Sequence, residues 1–149
     1  MDNRFAKNTV QKDKKSLFSS GPLQGTESVY AAIRIIVGLL MAYHGLEIFD
    51  AKLMNDYSMW DQFKGVPSPL VIVYIGKALE LVTGMFFVLG ILTRISALLI
   101  TINMLTICFF IGKGKFWCED QHSFLFALIS ILFFFKGSGK WAIDNKLGK

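Results

Sequence analysis

Cysteine is scarce in this chain: Cys108 and Cys118 are the only two among 149 residues. That is too few for a disulfide framework or a cysteine-rich zinc site. A glycine-rich phosphate loop, a nucleophile motif and a dinucleotide fingerprint are likewise missing. The glycine-containing run at 137–140 lacks both the leading glycine and the following Ser or Thr of a P-loop. The chain also offers no haem, flavin or iron–sulfur ligand pattern. Polar residues do not recur with the period of 3.6 or 2 that a soluble fold needs; the apolar residues come in long blocks instead. No apolar segment follows the basic start before Val29, so residues 1–27 read as a polar cytoplasmic tail, not a secretory signal.

What is present is apolar bulk. The chain is 53% hydrophobic, has 14 Phe and a mean hydropathy of +0.47, which together indicate a membrane protein. Its apolar runs predict an all-α, integral membrane four-helix bundle with helices at about 28–48, 67–91, 94–112 and 118–136. A basic cytoplasmic tail is expected over 137–149. The net charge of +5 does not point to nucleic acid, because the lysines crowd into the two tails beside apolar spans. Outside the helices or at their ends, ten Lys and Arg fall on the side of the termini and four on the side of the other two loops. This bias places both termini in the cytoplasm.

The second apolar run is long enough to span a bilayer, yet it carries Lys77 and Glu80 near its middle. A charge at that depth costs a few kcal/mol and normally faces protein or water. Gly76, Glu80 and Gly84 are each four apart, so the carboxylate shares a face on which a neighbouring helix can approach closely. A rise of 1.5 Å per residue puts Arg34 roughly 9 Å, Asn103 roughly 13 Å, Glu80 roughly 16 Å, Lys77 roughly 21 Å and His44 roughly 24 Å from the cytoplasmic boundary. These five form a candidate site. Glu80 and His44 are the candidate catalytic groups, and Arg34, Lys77 and Asn103 the candidate binding groups for an anion, a quinone head group or a proton. A charge-neutralised cluster that fixes the register of the bundle explains the same residues.

Toward the outer face lie His44, Glu47, Cys108, Cys118, Glu119 and His122. Continuous helical winding puts Glu47 nearly opposite Gly38. Cys108 and Cys118 are candidate redox thiols, with one packed and one interfacial free thiol as the simpler expectation. No recognised ligand spacing supports a metal site.

Several features taken in order resemble DoxX-type membrane proteins. Arg34 and Gly38 precede His44 and Gly45 in the first helix. Glu80, Gly84, Gly90, Thr93 and Arg94 mark the end of the second helix and the turn after it, and Gly137, Gly139, Trp141 and Asp144 mark the exit from the fourth. The resemblance implies a multi-pass bundle in a prokaryotic cytoplasmic membrane and a link to redox chemistry, because relatives include a membrane subunit of thiosulfate:quinone oxidoreductase. The family commonly has one acid at the start of the fourth helix, where this chain has Glu119 and Asp120. The expected role is a small membrane subunit supporting quinone-linked or thiol/sulfur redox chemistry, with electrons supplied by a partner subunit. A non-catalytic accessory subunit and a small-solute or proton pathway are the alternatives.

Overall fold

The computed structural model describes residues 25–146. Most of the expected amino-terminal tail therefore falls outside the described residues. The described chain is helical, without strands: α1 (Thr26–Gly45), α2 (Ala51–Ser58), α3 (Pro69–Leu89), α4 (Thr93–Thr106), α5 (Gln121–Lys136) and α6 (Ile143–Lys146). A 3₁₀ turn, Leu46–Phe49, extends α1, and a π-helical turn, Ile107–Ile111, extends α4. With these extensions three helices are long and apolar enough to cross a membrane, and α5 is a shorter apolar helix.

Local chemistry sets the boundaries. Pro69 opens α3, where its missing N–H costs nothing. Gly90 closes α3 in the left-handed conformation, φ 68°. The segment between α1 and α3 contains α2. There the Asp50 side chain accepts from the Lys52 and Leu53 N–H groups at 3.0 Å each and caps the helix start. Met54 of α2 is fully buried against Phe63 and Val73.

Within the bundle, α1 packs most extensively on α3, and α4 on α5. The α1–α3 contact depends on paired glycines. A Cβ on Gly84 would collide with the Ala42 backbone and lie 2.8 Å from Gly38 O. Small residues admit close backbone approach, which matters where lipid supplies no hydrophobic drive between helices. Val37, Met41, Phe87, Ile100, Met104, Phe126 and Phe133 fill the core, with the Phe87 and Phe133 rings 5.2 Å apart. Large apolar side chains also cover the outside, among them Ile36, Ile75, Ile102 and Leu132, each more than half exposed. That outward apolar surface is what a bilayer contacts.

The end of the bundle holding both described termini differs from the other. After α5 the chain turns at Gly137 and Gly139, both at positive φ, and folds back so that Ala142 is only 2% exposed. The Asp144 carboxylate accepts from the N–H groups of Leu92 at 2.8 Å and Thr93 at 2.9 Å, at the start of α4. What the sequence presents as a basic tail is thus, through residue 146, a strap across the turn between α3 and α4.

Candidate functional site

Glu80 lies on the α3 face toward the bundle interior and is 2% exposed. One turn before it, Lys77 places its Nζ 2.9 Å from Glu80 Oε2 and 2.9 Å from Glu47 Oε2. Asn103 of α4 donates its Nδ2 to Glu80 Oε1 at 3.4 Å. Tyr57 of α2 donates its hydroxyl to Glu47 Oε2 at 3.0 Å. Burial, reinforced by that bond to Glu47, pushes the Tyr57 phenol above its ordinary range. The result is a continuous chain, Tyr57–Glu47–Lys77–Glu80–Asn103, in which two carboxyl groups share one ammonium.

Above Glu80 is a cavity of about 190 Å³ whose polar lining is His44, Lys77, Glu80, His122 and Ser123. Met41, Met104, Ile107 and Phe126 complete its walls. His44 Nδ1 is 3.9 Å from Glu47 Oε1, and its ring is 5.5 Å from that of His122, which stacks on Phe126 at 4.9 Å. An apolar groove of about 540 Å³ lies alongside, between α1 and α5, walled by Ile33, Ile36, Leu40, Leu125 and Ile129. His122 and Phe126 line both spaces.

The structure thus brings Glu80, Lys77, Asn103 and His44 together and leaves Arg34 elsewhere. Arg34 is fully buried and donates to Phe87 O at 2.9 Å and Trp141 O at 3.3 Å. Phe87 O belongs to the last turn of α3, where it also accepts from Gly90 N–H at 3.3 Å and the helix dipole is negative. Gly90 is held to glycine by its positive φ and by the strap, since a Cβ there would strike the Ala142 backbone as well as Arg34 Nη1. Burial works against the Asp144 carboxylate, but the Thr93 and Leu92 N–H groups outweigh it and, with Arg34 nearby, hold its carboxyl below the usual range. Arg34, Gly90, Thr93, Trp141 and Asp144 therefore form a second polar centre that locks the strap to the bundle.

Glu47 moves in the other direction. It does not stand away from the face of Gly38 but meets Lys77 on α3, the helix that Gly38 also packs against. The α-helical register stops at Gly45, and Glu47 lies in the 3₁₀ turn that follows. Tyr57 was not legible as a member of the site, because only the docking of α2 brings it there. Cys108 is buried and Cys118 exposed, both as free thiols. Of the two acids before α5, Asp120 accepts from the Lys113 and Lys115 N–H groups at 3.0 and 2.8 Å, whereas Glu119 pairs with the two lysine side chains. No cluster of three or more His, Cys, Asp or Glu suited to a metal occurs among the described residues.

A family model described as DoxX matches residues 29–113, more than half of the chain. The chain belongs to the DoxX family. An uncharacterized protein of Haemophilus influenzae is 29% identical over 126 residues, covering 80% of this chain and 90% of its own length. An uncharacterized membrane protein of Mycobacterium tuberculosis is 28% identical over 142 residues, covering 85% of each chain. No solved structure matches. The DoxX match includes Arg34, Glu47, Lys77, Glu80 and Asn103; the strap and α5, with His122, lie beyond it.

Proposed function

We propose that this DoxX protein is a small subunit of a prokaryotic cytoplasmic membrane, with both termini inside, that binds a quinone and supports a partner's redox chemistry. The observation that carries the reading is a polar cavity lying next to an outward-facing apolar groove, with His122 and Phe126 lining both. A membrane-soluble molecule with a hydrogen-bonding head and an apolar tail fits both spaces at once. Lys77, His44, His122 and Ser123 supply donors to a carbonyl head group. The charge count supports proton handling as well. Glu47 and Glu80 share only Lys77, so a proton on one carboxyl or on His44 balances the cluster, and quinone reduction takes up protons from such groups. Electrons come from the partner subunit.

The completed hydrogen bonds of Glu80 support the second reading, an accessory subunit whose cluster is purely structural. A polar pathway through the bundle is disfavoured by the packed layer of Val37, Phe87, Ile100 and Phe133 between the cavity and the end holding the termini. Calorimetric titration of the full chain in nanodiscs with decylubiquinone separates these readings. Glu80→Gln should fold and bind about tenfold more weakly, the scale of one hydrogen bond to a charged group. Ile36→Trp, which fills the groove from its exposed side, should also weaken binding. Unchanged binding in both variants, or none by the parent chain, refutes the quinone reading.

A further inference from the structure

A second, larger cavity lies remote from Glu80. It is a crevice of about 630 Å³ at the end of the bundle holding the termini, between the α3–α4 turn, the end of α5 and the strap. Three cations line it, Arg94, Lys136 and Lys140, with two acids, Glu27 and Asp144. Both acids are engaged. Asp144 receives two backbone N–H groups, and Glu27 lies 3.7 Å from Lys136 Nζ. Lys136 also sits 4.2 Å over the Tyr30 ring. Arg94 and Lys140 have no ion pair among the described residues, and both are exposed. The lining thus keeps a net positive charge, with Arg94 and Lys140 as its cations without an ion pair, beside a space large enough for a phosphate ester.

Its level in the membrane follows from its neighbours. Trp141 of the strap is 64% exposed, and Trp side chains favour the head-group layer. Ile95 is part of the crevice wall and begins an outward stripe on α4, Ile95, Leu98 and Ile102, at helical spacing. Cations therefore stand at head-group height directly above an apolar track.

We propose that this crevice is a binding site for an anionic phospholipid, its phosphate held by Arg94 and Lys140 and one acyl chain laid along Ile95, Leu98 and Ile102. Arg94 suits the task because a guanidinium can present two parallel N–H donors to phosphate oxygens. The asymmetry with the opposite end is informative: there Lys113 and Lys115 both have an ion-pair partner, the shared Glu119.

The test is native mass spectrometry of the full detergent-solubilised chain, titrated separately with phosphatidylglycerol, phosphatidylcholine and inorganic phosphate. The parent chain should retain phosphatidylglycerol in preference to phosphatidylcholine. Losing one head-group cation should weaken retention about fivefold, so Arg94→Gln with Lys140→Gln should weaken it about thirtyfold. Lys113→Gln with Lys115→Gln removes the same charge elsewhere and should leave retention unchanged. Equal losses in the two double variants, no preference for the anionic lipid, or displacement of lipid by inorganic phosphate overturns the proposal. If Arg94→Gln prevents folding, Lys140→Gln alone, at an exposed loop position, must show the fivefold loss; an unchanged affinity there is equally decisive against it.

Discussion

Lys77 is the hinge of the intramembrane cluster, and replacing it separates charge balance from simple contact. Its ammonium lies 2.9 Å from both Glu47 and Glu80, and its side chain is only 16% exposed. Lys77→Met leaves two carboxyl groups facing one another without a cation. Removing one partner of a buried pair in this way costs about 3–5 kcal/mol. Glu80→Gln instead leaves Lys77 paired with Glu47, and Gln can still accept from Asn103 or Lys77. The loss is then the difference between a charge-assisted and a neutral hydrogen bond, about 1 kcal/mol. The double variant Lys77→Met with Glu80→Gln should recover part of the Lys77→Met loss, because the one remaining acid, Glu47, is 29% exposed and bonded to Tyr57. Unfolding of each variant in mixed micelles by increasing sodium dodecyl sulfate, followed by far-ultraviolet circular dichroism, yields the three differences. The reasoning fails if Glu80→Gln is as damaging as Lys77→Met, or if the double variant is no more stable than Lys77→Met alone.

Asp144→Asn should weaken the cap on α4 by about 1 kcal/mol, read as a lower thermal midpoint and faster proteolysis of the strap. Because the Asp144 carboxyl is held below its ordinary 3.8, its contribution is present above that value and is lost as pH falls through its lower folded-state value. The parent chain should therefore lose this increment on acidification, and the Asn variant should not. Gly84→Ala forces a Cβ against the Ala42 backbone and should cost about 1–3 kcal/mol of bundle stability in the same detergent titration. A membrane-impermeant maleimide should label exposed Cys118 and spare buried Cys108 in intact spheroplasts. Labelling of Cys118 only after permeabilisation would place the termini outside.

The bundle was legible because apolar length and the absence of amphipathic periodicity are properties of the chain itself. The cost of a charge in an apolar run likewise singled out Lys77 and Glu80 without a structure. Their pairing is local too, since residues three apart on a helix meet. Depth arithmetic was a weaker guide. It set Arg34 on the same axis as Glu80, but a long side chain follows available acceptors, and the carbonyls at the end of α3 lie nearer than the carboxylate. The DoxX resemblance named Arg34, Gly90, Thr93, Trp141 and Asp144, yet nothing in their spacing says that they close on one another.

From the sequence alone came a membrane bundle, a buried acid with a cation one turn away, and a glycine face for close packing. These follow from composition and helical periodicity, which need no knowledge of neighbours. Only the tertiary structure decided that Glu47 also reaches Lys77, where Arg34 goes, and that residues 137–146 fold back as a strap. It also placed His44 beside His122 and set their cavity next to the groove between α1 and α5. Each of these depends on contacts between residues far apart in sequence, and such contacts are set by how whole helices pack.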